Sequence, residues 1–180
     1  LVLNMVDHPQ GTLKVAATVA FAKAQLLPLL PVFLARNPDL KISLDATDRV
    51  IDLVEEQVDV AIRFSEQIDD SSVVSRKLAT NRRVYVAAPS YVAEHGLPRT
   101  PDEVAVLAGV GIARLSTYLV NDALAQGRLV RVLSDYADET SDILAIYSNK
   151  RNLSPNVRAF IDYFAEKFGP VPPWEKERAA

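Results

Sequence analysis

Three short segments between residues 12 and 63 carry apolar side chains at every second position, which is the period of a strand with one buried face. The alternating residues are Leu13, Val15 and Ala17, then Ile42, Leu44 and Ala46, then Val58, Val60 and Ile62. Helix-like segments separate them, so the order is β-α-β-α-β. This order predicts a parallel sheet covered by helices. The carboxyl ends of the three strands are then expected at one common edge.

The two connections between these strands differ in length. Residues 21–36 have a helical stripe of apolar side chains, but Pro28 and Pro31 interrupt it, so we expect a bend or a restart there. The second connection is shorter, and Thr47 or Asp48 is expected to cap a short helix within it. Both helices would cover the sheet that the three strands form.

The remainder of the chain continues to alternate strands and helices. Residues 73–78 and 83–88 are predicted to be two strands, because the turn residues 79–81 lie between them. The other predicted elements are a helical turn at 89–94, strands at 111–115, 129–133 and 143–148, and a helix at 117–125. A last helix is expected to begin after Ser154, which can cap it, with Pro155 at its first position.

Composition excludes several classes of protein. The 180 residues carry a net charge of -3, so the chain alone is not expected to be the main reader of a nucleic acid. It has no cysteine, which excludes disulfides, thiolate zinc sites and cysteine nucleophiles and suits a cytoplasmic protein. No apolar run reaches the roughly 18 residues typical of a membrane span. The N-terminus lacks both an initiator Met and a signal-peptide pattern, so we expect a fragment of a longer cytoplasmic protein.

The motifs that could support catalysis or a cofactor all have simpler interpretations. The pair Gly109 and Gly111 lacks a third small residue, since Arg114 stands there, and a strand is predicted to follow it where a nucleotide loop would open a helix. His8 and His95, the only histidines, have no partner at metal-ligand spacing. Adjacent acids such as 55–56 and 69–70 are typical of a solvated surface, and Ser71-Ser72 has no nucleophile-elbow context. The sequence therefore predicts no enzyme, no metal and no cofactor.

Two strand ends are candidates for binding an anion. Thr18 and Val19 lie where the first strand passes into a helix, and free amides at a helix N-terminus attract anions. Capping of the helix by the Thr18 side chain uses the same geometry and is an open alternative. Arg63 and Phe64 lie at the end of the third strand, where open α/β sheets bind ligands. A surface ion pair of Arg63 with an acid among residues 66–70 is the corresponding alternative.

Several longer stretches are specific enough to indicate a family. They are LLPVFLARNPDLKISL, IDLVEEQVDVAIR, DDSSVVSRKL and AAPSYVAEHGLP. They resemble the effector-binding domain of LysR-type transcriptional regulators. LAGVGIARLSTYLVNDALAQGRLVRVLSDY and SPNVRAFIDYFAEKF are similar to the C-terminal portion of that domain, so the resemblance runs from about residue 11 to residue 168.

The resemblance implies an α/β fold of two lobes, like that of type 2 periplasmic binding proteins, in which each lobe is a Rossmann-like sheet with flanking helices. Lobe I would comprise residues 11–86 and 146–169, and lobe II residues 87–145. Residues 1–10 would end a linker helix, and residues 170–180 would form a C-terminal tail. Strands near 83–88 and 143–148 would cross between the lobes as a hinge.

The resemblance also implies a function. A small-molecule effector would bind in the cleft between the lobes and shift the arrangement of lobes or subunits. A winged helix-turn-helix preceding Leu1 would contact promoter DNA, and the protein would form a homodimer or homotetramer in the cytoplasm, without a membrane partner. The sequence leaves open two other classes that share the fold, a solute-binding protein of a transporter and a small-molecule enzyme such as a deaminase.

Carried over position by position, the resemblance also implies which residues contact the effector. The implied contacts are Thr18, Val19, Thr47, Asp48, Arg63, Phe64, Gly109 and Val110. The effectors of the family are often small carboxylates. A hydroxyl at a helix N-terminus, together with an arginine, suits such an anion.

One position departs from the family pattern. Family members continue after the PDE segment with a Trp-containing hairpin, a strand and a helix, but here residues 104–107 run straight into the next family segment. Lobe II is therefore short, since a single βαβ unit already needs about 30 residues and a lobe like the first needs two. On the order of 50 residues are missing by this argument. Either the chain carries a natural deletion or the sequence omits a stretch of the natural protein, and we favour omission.

Overall fold

A computed structural model of the chain describes residues 8–65, 72–97, 111–136, 139–148 and 153–176. In these residues the strands are β1 (Gly11–Ala17), β2 (Leu40–Ala46), β3 (Val60–Ser65), β4 (Val73–Ala87), β5 (Ile112–Ser116), β6 (Val130–Val132) and β7 (Glu139–Ser148). The α-helices are α1 (Val19–Phe21), α2 (Leu30–Arg36), α3 (Pro89–His95), α4 (Thr117–Ala125) and α5 (Pro155–Phe168). A π-helical stretch, Ala22–Leu26, continues α1, and a 3-10 turn, Pro173–Glu175, follows α5.

The chain divides into two compact units. Unit 1 contains the chain up to Ala79 together with Asp142–Pro170, and unit 2 contains Thr80–Ser141 and the residues from Val171 onward. The divisions therefore fall inside β4 and β7. The lobe bounds expected from the sequence, 86/87 and 145/146, fall later in the same two strands.

The sheet of unit 1 is built around β1. This strand pairs in parallel with β2 on one side and with β3 on the other, and Ala17 lies opposite both Ala46 and Ile62. The three parallel strands predicted from the alternating residues are confirmed, and the first connection between them is helical, but the second is not. β7 then pairs with β3 in the antiparallel direction, with Arg63 opposite Leu144. The ends of β1, β2 and β3 accordingly meet at one edge.

Helix α5 supplies much of the core of unit 1. Its cap is as predicted, because the Ser154 hydroxyl accepts a hydrogen bond from the Val157 amide at 3.2 Å and Pro155 begins the helix. One side of the helix is buried through Val157, Phe160, Ile161, Tyr163, Phe164 and Phe168. These rings form edge contacts with rings of the first connection, such as Phe21 with Phe168 at 5.8 Å. Burying aromatic rings of this size is worth roughly 1.5–3 kcal/mol each.

The first connection is bent, as its prolines predicted. The two helical pieces Val19–Leu26 and Leu30–Arg36 are inclined by 62° to each other, and among the described helices no single one is long and apolar enough to cross a membrane. The Tyr163 hydroxyl donates to the Leu29 carbonyl at 3.1 Å, which satisfies a carbonyl at the break. Burial raises the pKa of Tyr163, and the nearby Arg36 opposes that rise.

Two predicted elements differ from the structure. Residues 79–81 do not form a turn but lie within the continuous strand β4, because Ala79 and Asn81 are buried and burial outweighs local turn preference. The connection after β2 is a set of turns and not a helix capped by Thr47 or Asp48. Asp52 caps these turns, since its carboxylate accepts hydrogen bonds from the amides of Val54 and Glu55 at 2.8 and 2.9 Å.

Unit 2 packs its helices on β4, β5 and β6. β4 pairs in the antiparallel direction with both β5 and β6, and two small clusters fill the core. Their buried residues are Val84, Val86 and Val120 in one cluster and Ala87, Tyr91, Ile112, Val132 and Leu133 in the other.

The segment that follows α5 returns to unit 2. Trp174 is only 5% exposed and makes an edge contact with the ring of Tyr118 at 6.1 Å. Glu175 accepts hydrogen bonds from Arg82 and from the Thr117 hydroxyl. This docking was not predictable from the sequence, because the residues after α5 have the composition of a charged C-terminal tail.

Candidate functional site

The ends of β1 and β2 bring two predicted site segments together. The Thr47 amide donates to the Ala17 carbonyl at 2.8 Å, which extends the pairing of the strands by one residue. In the next residues, the Asp48 carboxylate accepts a hydrogen bond from the Val19 amide at 3.1 Å. Thr18, Val19, Thr47 and Asp48 are therefore neighbours at the carboxyl edge of the sheet, as the parallel topology requires.

The Thr18 side chain does not cap the helix that it precedes. Its backbone is extended at the cap position, but its hydroxyl makes no capping hydrogen bond. The Thr18 Oγ1 atom is buried and has no hydrogen-bond partner among the described residues. The cap is supplied by Asp48 from the neighbouring loop. Of the two interpretations of Thr18, simple capping is therefore wrong.

Arg63 lies on β3 and is partly buried. Its guanidinium donates to the carbonyl oxygens of Ile62 at 3.1 Å and of Arg49 at 3.5 Å. Burial lowers the pKa of Arg63, while the nearby carboxylates of Asp45, Asp48 and Glu56 raise it, in that order of importance. Among the described residues no carboxylate forms an ion pair with Arg63. The acids at 66–70 that were considered as its partners lie outside the described residues.

The neighbouring Arg49 is different, because its charge is neutralised within the chain. Its guanidinium forms two hydrogen bonds with the Glu56 carboxylate, one of 2.8 Å and one of 2.5 Å. This paired carboxylate raises the pKa of Arg49. A bidentate pair of this kind leaves little attraction for a further anion. The two arginines at this edge thus differ, because Arg49 forms an ion pair and Arg63 forms none with the residues that the structure describes.

A cavity of about 440 Å³ lies beside Arg63 in unit 1. It is lined by Val50, Ile51, Asp52, Leu53, Val54, Ala61, Arg63, Ser72, Val73 and Ile146. Most of this lining is apolar, and its size is within the range of small-molecule sites. Sequence reasoning found Arg63 but missed the cavity, since its walls come from segments as far apart in sequence as Val54 and Ile146.

Arg63 and Phe64 point to opposite faces of β3, as successive residues of a strand do. Phe64 packs edge to face on Phe21, with ring centroids 5.5 Å apart, on the face that α1 covers. Arg63 and Ala61 face the cavity on the other side. Of the two predicted effector contacts on β3, Arg63 therefore faces the cavity and Phe64 faces the core on the opposite side of the sheet.

The last predicted pair, Gly109 and Val110, lies outside the described residues. The next residue, Gly111, begins the turn into β5 with a φ of 127°, and a Cβ there would lie 3.0 Å from the Tyr91 ring. In the described part of the chain no group of three or more His, Cys, Asp or Glu side chains could hold a metal ion.

A sheet of three parallel strands with polar residues gathered at its carboxyl edge, beside an apolar cavity, is typical of α/β domains that bind ligands. Comparison with known proteins makes the assignment specific. The sequence profile of the "LysR substrate binding domain" family matches residues 7–105 and 104–169. The chain belongs to this family.

Relatives support the same assignment. The HTH-type transcriptional regulator CrgA of Neisseria meningitidis serogroup C (strain 8013) is 28% identical over 207 residues, covering 91% of this chain and 69% of CrgA. The solved regulatory domain of CrgA from Neisseria meningitidis, described as a LysR-type transcriptional regulator, has a TM-score of 0.79 at 27% identity and covers 89% of this chain and 100% of that domain. Full-length AphB of Vibrio cholerae has a TM-score of 0.76 at 24% identity, with 88% and 69% covered, and this likeness concerns the fold alone.

These findings establish what the chain is. It has the type 2 periplasmic-binding-protein-like α/β fold, and it is the effector-binding domain of a LysR-type transcriptional regulator. The regulatory interpretation is thereby favoured over the solute-binding protein of a transporter, because the similar proteins are transcriptional regulators.

The comparisons also bear on the short second unit. The two segments that match the family meet at residues 104–105, within the stretch where the family pattern is interrupted. The alignment with CrgA spans 207 positions, whereas 91% of the 180 residues is about 164, so about 43 aligned positions have no residue in this chain. The seam itself lies outside the described residues.

Proposed function

We propose that this domain binds a small anionic metabolite, such as a carboxylate, at the carboxyl edge of the parallel strands of unit 1. The observation that carries the proposal is the environment of Arg63. It is a partly buried cation with no ion-pair partner among the described residues, and it faces an apolar cavity of about 440 Å³. An anionic ligand would complete this site, since hydrogen bonds between a guanidinium and a carboxylate are among the strongest in proteins.

The proposed contacts are the residues that the strand ends bring to this edge. They are Thr18, Val19, Thr47, Asp48, Arg63 and Phe64. The family resemblance adds Gly109 and Val110, which lie outside the described residues. The buried Thr18 hydroxyl supports its inclusion, because a buried polar group without a partner is costly unless a ligand or water satisfies it.

The regulator that contains this domain is proposed to act on DNA through a helix-turn-helix domain outside this sequence. It is further proposed to form a homodimer or homotetramer, to work in the cytoplasm and to catalyse no reaction. The family membership supports these statements, as do the relatives, which are named as transcriptional regulators.

The test is a thermal-shift screen of the domain with small carboxylates and their neutral amides, followed by DNA-binding measurements on the full-length regulator. We expect at least one carboxylate to raise the melting temperature, to change the affinity of the full-length protein for its promoter and to remain chemically unchanged. We expect Arg63→Ala to weaken that response without unfolding the domain. A ligand that is turned over, or a full metabolite panel without any effect on stability or DNA binding, would contradict the proposal.

A further inference from the structure

The cavity beside Arg63 lies on the face of the unit 1 sheet that is turned away from the aromatic core. Ala61 and Arg63 line it, whereas Val60, Ile62 and Phe64 alternate with them and point to the other side, where Phe64 contacts Phe21. Empty cavities of roughly 150 Å³ take up benzene. A cavity of about 440 Å³ therefore has room for a ring or a branched chain with a carboxylate attached.

The lining of this cavity offers one available charge. Seven of the ten described residues that line it are apolar: Val50, Ile51, Leu53, Val54, Ala61, Val73 and Ile146. The Asp52 carboxylate is engaged with the amides of Val54 and Glu55, and Ser72 has interactions elsewhere in the chain. Within the described part of the lining, Arg63 is thus the single side chain that offers an anion a charged, directional contact.

The surroundings of Arg63 limit how many negative charges a ligand can bring. Asp45, Asp48 and Glu56 all lie close enough to favour the charged form of Arg63. The same three carboxylates repel a second carboxylate on the ligand, and only the charge of Glu56 is matched, by Arg49. A first carboxylate gains the contact with the Arg63 guanidinium, which offsets this repulsion, whereas a second carboxylate is repelled in the same way and has no further cation among the described lining residues to offset it.

We infer that the cavity beside Arg63 selects a monocarboxylate with an apolar body, such as an aromatic or branched aliphatic acid, over dicarboxylates and over neutral amides. This inference rests on the proposed function and specifies the chemical class of its effector. The carboxylate would lie against the Arg63 guanidinium, and the apolar body would lie against Val50, Val54 and Ile146.

The experiment measures binding by calorimetry with stated probes. The monocarboxylates are benzoate, phenylacetate and isovalerate, each paired with its amide, and succinate serves as the dicarboxylate. We expect at least one monocarboxylate to bind roughly 10- to 100-fold more tightly than its amide, which is the range of hydrogen bonds to charged groups. Succinate should bind at least tenfold more weakly than that monocarboxylate.

Variants connect this selectivity to the cavity. Arg63→Gln should remove the preference for the acid over its amide, whereas the matched control Arg76→Gln, an arginine of unit 1 paired with Asp162 outside the cavity, should keep it. Val54→Asp should abolish binding of the monocarboxylate, and since Val54 is 71% exposed the change should leave the fold intact. Circular dichroism of each variant checks that point.

The outcomes separate the inference from the proposed function. Equal affinities for acid and amide, tighter binding of succinate, or an unchanged preference in Arg63→Gln would overturn the ligand class. If a different metabolite still alters DNA binding by the full-length protein, effector sensing stands although the class is wrong. If no compound alters DNA binding, the proposed function fails as well.

Discussion

The Asp48 carboxylate lies at the start of the first helix, where it accepts a hydrogen bond from the Val19 amide at 3.1 Å. This is the position that an anionic ligand was expected to take. The chain's own side chain therefore already neutralises the positive end of the helix. A ligand carboxylate has to displace Asp48 or bind elsewhere, and the Arg63 guanidinium offers it a cationic contact at this edge.

Replacing Asp48 should measure the strength of this cap. Asp48→Ala is expected to lower the free energy of unfolding by about 0.5–2 kcal/mol, the usual cost of losing a cap, whereas Asp48→Asn should retain much of it because its amide oxygen can still accept. Urea denaturation followed by circular dichroism gives the values. Asp45→Ala, an exposed acid of β2, is the control and should change stability by less than about 0.5 kcal/mol.

The Thr18 hydroxyl offers a sharper contrast. Because its oxygen is buried without a partner, Thr18→Val should leave the melting temperature unchanged or raise it, while weakening effector binding. Thr117→Val is the matched comparison, since that buried hydroxyl contacts the Arg82 carbonyl and the Glu175 carboxylate, and its loss should cost about 1–3 kcal/mol. A Thr18→Val protein as unstable as Thr117→Val would show that the Thr18 hydroxyl has a structural partner.

The docked C-terminal segment should contribute measurably to unit 2. Glu175→Ala removes one hydrogen-bond acceptor from the Arg82 guanidinium and one from the Thr117 hydroxyl, so we expect the free energy of unfolding to fall by about 1–3 kcal/mol. Trp174 is the only tryptophan of the chain, so its fluorescence reports on this segment directly. Lys176→Ala removes the next charge along the chain and serves as the control. If Lys176→Ala shifted the Trp174 emission as much as Glu175→Ala does, the Glu175 carboxylate would not be what holds this segment in place.

Gly111 should be sensitive to substitution for two reasons that can be separated. Its φ of 127° is unfavourable for other residues, and an added Cβ would lie 3.0 Å from the Tyr91 ring. Gly111→Ala is expected to lower stability by about 1–3 kcal/mol through strain and crowding. Gly127→Ala introduces only a positive φ, since nothing lies within 4 Å of its Cβ, and should cost less. If Gly111→Ala and Gly127→Ala lowered the melting temperature equally, the contact with the Tyr91 ring would make no measurable contribution.

Much of unit 1 was predictable because its signals are local. The alternating apolar residues fixed three parallel strands, and Ser154 with Pro155 marked the first turn of α5 correctly. Topology alone then implied that Thr18 and Asp48 would approach each other. Their hydrogen bond was not predictable, since sequence patterns do not say which of two polar residues will cap a given amide.

The features that were missed depend on contacts between distant segments. The cavity exists only because Val54 and Ile146 come together after the sheet has formed. The continuity of β4 through Asn81 depends on burial, which local turn preference does not reveal. Trp174 likewise looked like part of a solvated tail until its partner Tyr118 was known.

The return of the chain to unit 2 after α5 has a consequence for genetic dissection of the protein. Unit 2 draws on two separate stretches of sequence, so no single cut yields both units intact. A stop codon directly after Gly169 would spare the aromatic core of unit 1 and strip Trp174 and Glu175 from unit 2. A loss of function in such a truncation would therefore reflect damage to unit 2, although most of that unit is encoded by the distant stretch Thr80–Ser141.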